Sequence, residues 1–489
     1  MESAPPPLSR WVLVCGALLR ALLFACGADA VLSRRVELVT PFTSFLAVRE
    51  AAAYVDGGGS PFGGDLFHQS PLVLALFHPL IGQGEDCLPR WLSWYAVRAL
   101  FICVDLAIAA SLAELARLCV AHRAAAGEAD EADEAAEAAD TGEGDSSALL
   151  GAAQLPSTVC GVLLLNPYSL LACAALSTGS LAQLATARAL LWAARGGAWR
   201  AMLWLALASV LALHPILLLP PCLLLLDAAA RRQDASAPPS QQQPQGSQEQ
   251  RREVPPWDAP LPPLGRGVLL PLAYFCASAG ALLALSRAAL GCAGGATLSA
   301  CAADPRPWAE LWHGVYGWLW RLEDLRPNVG LNCYLFAEVF GRFREYFTLL
   351  LQAHPFLYPL PLAVRLRAQP YALATALVGV LALFRPYPAF GDLGFLLPLL
   401  PMAPRALLRR MRLQFVLAVG LLVGSVAMPL MLHMWLTVGS GNANFFYNQT
   451  LVYNVFGALL VLEYVGAAVK SGRARRVACE ARRLAKKRA

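Results

Sequence analysis

Charge is what this sequence has least of: Asp, Glu, Lys and Arg together make up 15% of its 489 residues, against roughly 25% in an average soluble domain. Such scarcity excludes an ordinary water-soluble fold, which would have no means of covering so much apolar surface. No C-x-x-C, H-E-x-x-H, G-x-x-x-x-G-K-[ST] or G-x-S-x-G occurs anywhere in the chain. The familiar signatures of structural zinc, zinc hydrolysis, phosphate cradling and serine acyl transfer are therefore missing, and nothing in the pattern asks for a metal or cofactor. D-x-D is absent too. The thirteen Cys are scattered, and Cys15, Cys103, Cys160, Cys173, Cys222 and Cys276 lie inside apolar runs as small hydrophobes. Cys87, Cys292, Cys301 and Cys333 fall in segments assigned below to the non-cytosolic side, where Cys292 with Cys301 is the candidate disulfide.

What is present is hydrophobicity, at 57% of residues, in blocks of about 15 to 28 residues that suit a bilayer core of about 30 Å. The first block, Trp11 to Val31, is too long for a cleaved leader and reads as a retained span. Others lie near 92–118, 148–165, 168–195, 198–213, 215–229, 265–290, 346–366, 370–384, 391–404, 412–436 and 450–469. The expectation is an all-α polytopic membrane protein of about twelve spans. The formal charge of +6 reads as topology, not as a nucleic-acid footprint, because the basic residues sit in short gaps between blocks.

With both termini in the cytosol, Arg117, His122 and Arg123, then Arg195 and Arg200, Arg231 and Arg232, Arg365 and Arg367, Arg405 to Arg412 and the tail from Lys470 all gather on the cytosolic face. The organisation expected is 1–123 with two spans and a long non-cytosolic loop, 124–147 as a disordered acidic loop, and 148–230 with spans 3–6. Beyond these lie a disordered Gln/Pro-rich loop at 231–264, spans 7–12 at 265–469 and a basic tail at 470–489. Within the long segment 291–345, Trp308, Trp312, Trp318 and Trp320 favour an interface. Phe336, Phe340, Phe343 and Phe347 follow at helical spacing, with Glu338, Arg342 and Glu345 opposite, the pattern of an interfacial amphipathic helix.

Ionisable residues inside apolar blocks are costly and need partners. Arg20, Arg98, Asp105, Arg188 and Glu463 are the main cases. Arg98 and Asp105 lie about two helical turns apart on one face, so each is expected to meet a partner from another helix, as a structural ion pair or as a substrate contact.

The first loop reads Gly59-Ser60-Pro61-Phe62 through His68-Gln69-Ser70-Pro71-Leu72. It resembles the S-P-Y and Y-T-P-L segment of the polyprenyl-phosphate-mannose-dependent mannosyltransferases of the GPI pathway, which share the many-span GT-C fold. In that family an acidic pair early in the loop serves transfer. This chain has Val36-Glu37-Leu38 there, which argues against catalysis.

Four further stretches are similar to the U-subunit family of the GPI transamidase. They are Leu164 to Leu170 with Ser177-Thr178, Pro327 to Leu331 running into Phe336 to Phe340, Tyr387 to Asp392, and Ser440 to Tyr447. The resemblance implies a GT-C-like bundle with interfacial lumenal helices in the endoplasmic reticulum membrane. It further implies a non-catalytic role in binding and presenting the GPI lipid, beside other transamidase subunits that include a cysteine-protease-like catalytic one. Candidate lipid or glycan contacts are His68, Asn328, Glu338, Asp392 and Asn444, of which Asn328, Asp392 and Asn444 read equally well as caps of helices and turns. Asn448 begins a glycosylation sequon close to a span. The rival reading is a working mannosyltransferase, with Glu37, Asp65, Glu85 or Asp86 as the general base.

Overall fold

The computed structural model describes residues 10–83, 87–125, 154–236, 262–291 and 306–488. Glu85, Asp86, Cys292, Cys301, the acidic insert and most of the Gln/Pro-rich insert lie outside them. Among the described residues every regular element is helical. The chain begins with α1 (Arg10–Ala25), α2 (Ala28–Leu32), α3 (Phe45–Asp56), α4 (Pro71–Ile81) and α5 (Arg90–Ala125). It continues through α6 (Leu155–Leu165), α7 (Pro167–Ala174), α8 (Gly179–Ala194), α9 (Ala198–Ala212), α10 (Leu219–Ser236) and α11 (Leu270–Gly291).

Among the described residues, six helical stretches are long and apolar enough to cross a membrane: Arg90–Arg123, His214–Asp234, Leu264–Leu290, Gly341–Arg365, Gln414–Val438 and Ala443–Val477. The pair α6 and α7, bent by 50°, would make a seventh. The count of twelve taken from apolar blocks differs because several blocks do not form single rods. Gly27, at φ 71°, breaks the first block after α1, and only a side chain without Cβ adopts that turn freely. The block 168–195 divides between α7 and α8, where Leu176 takes a φ of 56°. The helix Pro370–Phe384 is 15 residues long, about 22 Å at 1.5 Å per residue and short of a bilayer core.

The interfacial helix expected around four Phe residues is also interrupted. A helix runs Asn332–Glu338, Phe340 is extended, and a new helix starts at Arg344. Gly341 follows the break, and glycine weakens a helix interior by roughly 0.5–1 kcal/mol relative to alanine. Phe336 is consequently buried while Phe340 is exposed.

The core forms around α5, whose Ile108, Leu112 and Ala116 pack with Val159 and Leu163 of α6 and Leu190 and Leu191 of α8, and Met202 and Leu205 of α9 extend the same cluster by packing on α8. At its centre lies one buried polar knot. Pro167 has no N–H to give, so α6 ends with open carbonyls at Leu163 and Leu164. Asn166 caps α7 by accepting from Tyr168 N at 2.7 Å. Ser169 Oγ donates to Leu163 O, and Arg20 Nη1 donates to Leu164 O at 2.8 Å. The same Arg20, fully buried, donates through Nε to Asp105 Oδ2 at 2.7 Å.

The basic gaps gather at one end of the bundle. Glu114 meets both Arg117 and Arg195 at 3.1 Å, His122 meets Tyr371 at 2.6 Å, and Arg123 donates to the Met402 carbonyl. The two long loops meet at the other end, where Ser60 Oγ donates to Glu310 at 2.8 Å.

Candidate functional site

The loop-bearing end is fastened by small polar side chains from separate motifs. Ser44 and Ser70 cap α3 and α4. Gln69 Nε2 donates to Ser44 O at 2.6 Å, and Thr178 Oγ1 donates to Gln69 Oε1 at 2.7 Å. The Thr178 N–H donates to Thr43 O at 2.9 Å. Gln69, Ser70 and Thr178 are buried and Ser44 partly so, and such groups must be paired. Their pairing fixes where the first loop meets the α7–α8 turn.

Beside this lock lies an aromatic stack. His68 lies on Trp318 with ring centroids 3.8 Å apart and planes 13° from parallel. Phe42 and Tyr387 complete the cluster, 5.2 and 5.7 Å from Trp318. His68 Nδ1 donates to Gly314 O at 2.9 Å, and the Tyr387 hydroxyl donates to Asp324 O at 3.0 Å. Burial pushes the His68 imidazole below its usual value of 6.5, and the Gly314 carbonyl offsets this only in part. A depressed pKa means that the folded state holds the neutral ring, so the stabilisation is complete above pH 6.5 and is lost as pH falls through the lower folded value. Thermal unfolding scanned from pH 7.5 to 5 should show this acid-side loss, and His68→Phe, which keeps a ring on Trp318 but cannot titrate, should flatten it.

Two adjoining grooves open at the same end. The larger, about 1130 Å³, lies among α2, α3, the end of α4 and the start of α5. The smaller, about 180 Å³, runs on from it through Ser33, Arg34 and Leu46 to Asn328 and Tyr387. Arg98 forms one wall of the larger groove, ion-paired with Asp29 of α2 and lying 3.8 Å over the Trp94 ring. Asp56 is engaged by His78 at 2.8 Å, and Glu50 accepts from Leu66 N at 3.1 Å. Arg34, Arg49 and Arg90 also line the larger groove and are exposed. Among the described residues no carboxylate lies within ion-pair distance of these three. The groove thus offers guanidinium groups to an anion, and that geometry suits phosphate.

The residues singled out from sequence separate here. Asn328, 4% exposed, accepts from Gly330 N at 2.8 Å and shapes the turn that edges the small groove. Asp392 pairs with Arg385 at 2.6 Å and accepts from Ala389 N at 2.9 Å, so it caps a helix and holds a cation. Asn444 accepts from the Tyr334 hydroxyl at 2.7 Å and is otherwise exposed. Glu338 and Asn448 are exposed. Cys333 donates to Leu325 O and contacts the Tyr447 hydroxyl as a free thiol. Arg34, Arg49 and Arg90 escaped the sequence reading, because a loop arginine near a span looks like any topology determinant.

Glu37, the acidic residue at the place of the transferases' pair, is 2% exposed and lines neither groove. Among the described residues no side chain donates to either carboxylate oxygen, and Arg35 Nε lies 3.6 Å away. Burial pushes its carboxyl above the ordinary carboxylate range, against the opposing pull of Arg35. A general base must reach its substrate's proton, and this carboxyl is turned into packing. Asp65 is exposed on the first loop.

A family model described as GPI transamidase subunit PIG-U matches residues 14–453. The chain belongs to the PIG-U family. The GPI-anchor transamidase component PIGU of Homo sapiens is 29% identical over 487 residues, in a match that takes in 94% of this chain and 93% of that protein. Its counterpart in Mus musculus is likewise 29% identical over the same shares. The GPI transamidase component GAB1 homolog of Schizosaccharomyces pombe is 34% identical over 144 residues, 29% of this chain and 35% of that protein. The PIG-U match takes in both grooves, the aromatic stack and the Arg20 knot, and stops within the last helix.

Proposed function

We propose that this chain is a non-catalytic subunit of a GPI transamidase in the endoplasmic reticulum membrane. It receives the GPI lipid and presents its head to a cysteine-protease-like catalytic subunit in the lumen. The loop-bearing end is the lumenal one, opposite the basic gaps. The short and broken apolar helices complete a GT-C-like bundle around the full spans. The observation that supports the reading best is the cationic groove of about 1130 Å³ bordered by Arg34, Arg49 and Arg90, because a GPI head carries phosphate on a glycan. Of the five polar candidates from sequence, Glu338 and Asn444 are exposed and in this reading meet sugar hydroxyls, while Asn328 holds a turn and Asp392 a helix end.

A hydrogen bond to a charged group contributes about 1.5–3 kcal/mol, and every 1.4 kcal/mol is about tenfold in affinity. The double variant R49Q/R90Q should therefore lower attachment of GPI to a reporter precursor by about tenfold or more, with the subunits still co-purifying in parental ratio. Parental attachment in that variant would remove the groove from the function. Loss of the complex itself would show instead that the arginines serve assembly.

A further inference from the structure

At the opposite, basic end of the molecule a second pocket is built between the Leu366–Gln369 turn and the last helix, Ala443–Arg488. Its volume is about 350 Å³, within the roughly 300–1,000 Å³ of small-ligand sites. Two contacts hold it open. Gln369 Nε2 donates to Ala468 O at 3.1 Å, fixing the turn against the helix. Gly472 stands where a Cβ would come 2.6 Å from the same Gln369 nitrogen, so the absence of a side chain there allows the close crossing.

The charge of the pocket is one-sided. Arg365, Arg473, Arg475 and Arg476 line it against one lining carboxylate among the described residues, Glu480. Its remaining wall is apolar, with Leu366 buried beneath and Val469 and Val477 beside it. Arg365 ends one candidate span, Gly341–Arg365, and Arg473 to Arg476 fall near the end of another, Ala443–Val477. From Ala443 to Gly472 the helix rises about 44 Å at 1.5 Å per residue, which equals the about 40–45 Å of a bilayer with its headgroups. The pocket therefore lies at headgroup depth on the basic side. Exposed Leu360, Val364 and Leu462 on the same two helices face outward where acyl chains would lie.

We propose that this pocket binds the phosphorylated headgroup of an anionic phospholipid of the cytosolic leaflet. Guanidinium groups take phosphate oxygens in paired hydrogen bonds, and basic pockets between spans on the cytosolic side are suited to such headgroups. The apolar wall and headgroup depth select a lipid over a free anion. The site is separate from the lumenal groove and does not rest on the function proposed for it.

The test is native mass spectrometry of the full chain in its complex, in mild detergent. The probes are dioctanoyl phosphatidylinositol 4-phosphate, dioctanoyl phosphatidylcholine and inorganic phosphate. The phosphorylated lipid should be retained at least tenfold more tightly than phosphatidylcholine. R365Q/R473Q should lose that preference at unchanged melting temperature; Gly472→Leu, which fills the pocket but also displaces Gln369 from Ala468, should lose it at a lowered one, and R49Q/R90Q should keep it. Equal retention of the two lipids, or full retention by R365Q/R473Q, would overturn the proposal. Inorganic phosphate displacing the lipid at equal concentration would overturn the lipid assignment in favour of a free-anion site.

Discussion

Replacing Arg20 by Ala should destabilise the chain by about 3–5 kcal/mol, the usual cost of removing one partner from a buried ion pair. Arg20 is fully buried and does four things at once. It pairs with Asp105 at 2.7 Å, meets Gly16 O at 3.1 Å and Leu164 O at 2.8 Å, and reaches Ser169 Oγ at 3.1 Å. With the guanidinium gone, the Asp105 carboxyl is left in apolar surroundings and the end of α6 loses its donor. Replacing the pair together, R20M/D105L, should recover much of the loss, because the expensive species is the unpaired charge and not the apolar substitute. Thermal unfolding of the purified chain in detergent compares the two variants with the parent. R20A melting with the parent would mean that neither the ion pair nor the Arg20 contacts to Gly16 O and Leu164 O stabilise the knot.

This knot shows where the sequence was legible. Arg98 and Asp105 could be recognised as charges that needed partners, because an apolar run gives no other excuse for them. Their partners, Asp29 and Arg20, lie on helices packed against α5, and such packing leaves no mark in spacing. The break at Asn166-Pro167 was legible for the same kind of reason, since proline removes a donor whatever surrounds it. The span count was less so. Hydropathy records apolar length, whereas Gly27 at φ 71° and Leu176 at φ 56° turn the chain inside apolar blocks. In the loops there is no periodicity to read. Asn328 and Glu338 were both candidate contacts by their polarity, yet one is buried under a turn and the other is open to solvent. The groove is assembled from four short elements, and only folding brings Arg34, Arg49 and Arg90 to one rim.

The second large effect is expected at the seam between the helix Gln414–His433 and the last helix. Helices in a bilayer gain little from hiding apolar surface, so their association depends on close packing over small residues. Gly420 and Gly424 form a G-x-x-x-G face, with Ser425 beside them bonded to the Tyr168 hydroxyl at 2.8 Å. A Cβ at Gly420 would fall 2.4 Å from the Phe456 ring, and one at Gly424 would fall 3.1 Å from the backbone nitrogen of Tyr453. Overpacking usually costs about 1–3 kcal/mol, and here a bulky residue has no slack to use. G424L meets main chain, which cannot rotate away, so it should prise the helices apart. G420A meets a ring fixed at its Cγ, so its smaller added volume should cost less. The same melting measurement decides the order: G424L lowest, G420A next, parent highest. Phe456 and Tyr453 both lie on the helix that carries Arg473 onward to the basic pocket. A G424L chain that still folds should therefore also lose its headgroup preference, because Gly472 and Gln369 would no longer meet in register. Retained preference at a lowered melting temperature would show that the basic end of that helix is positioned by Gln369 and Ala468 alone.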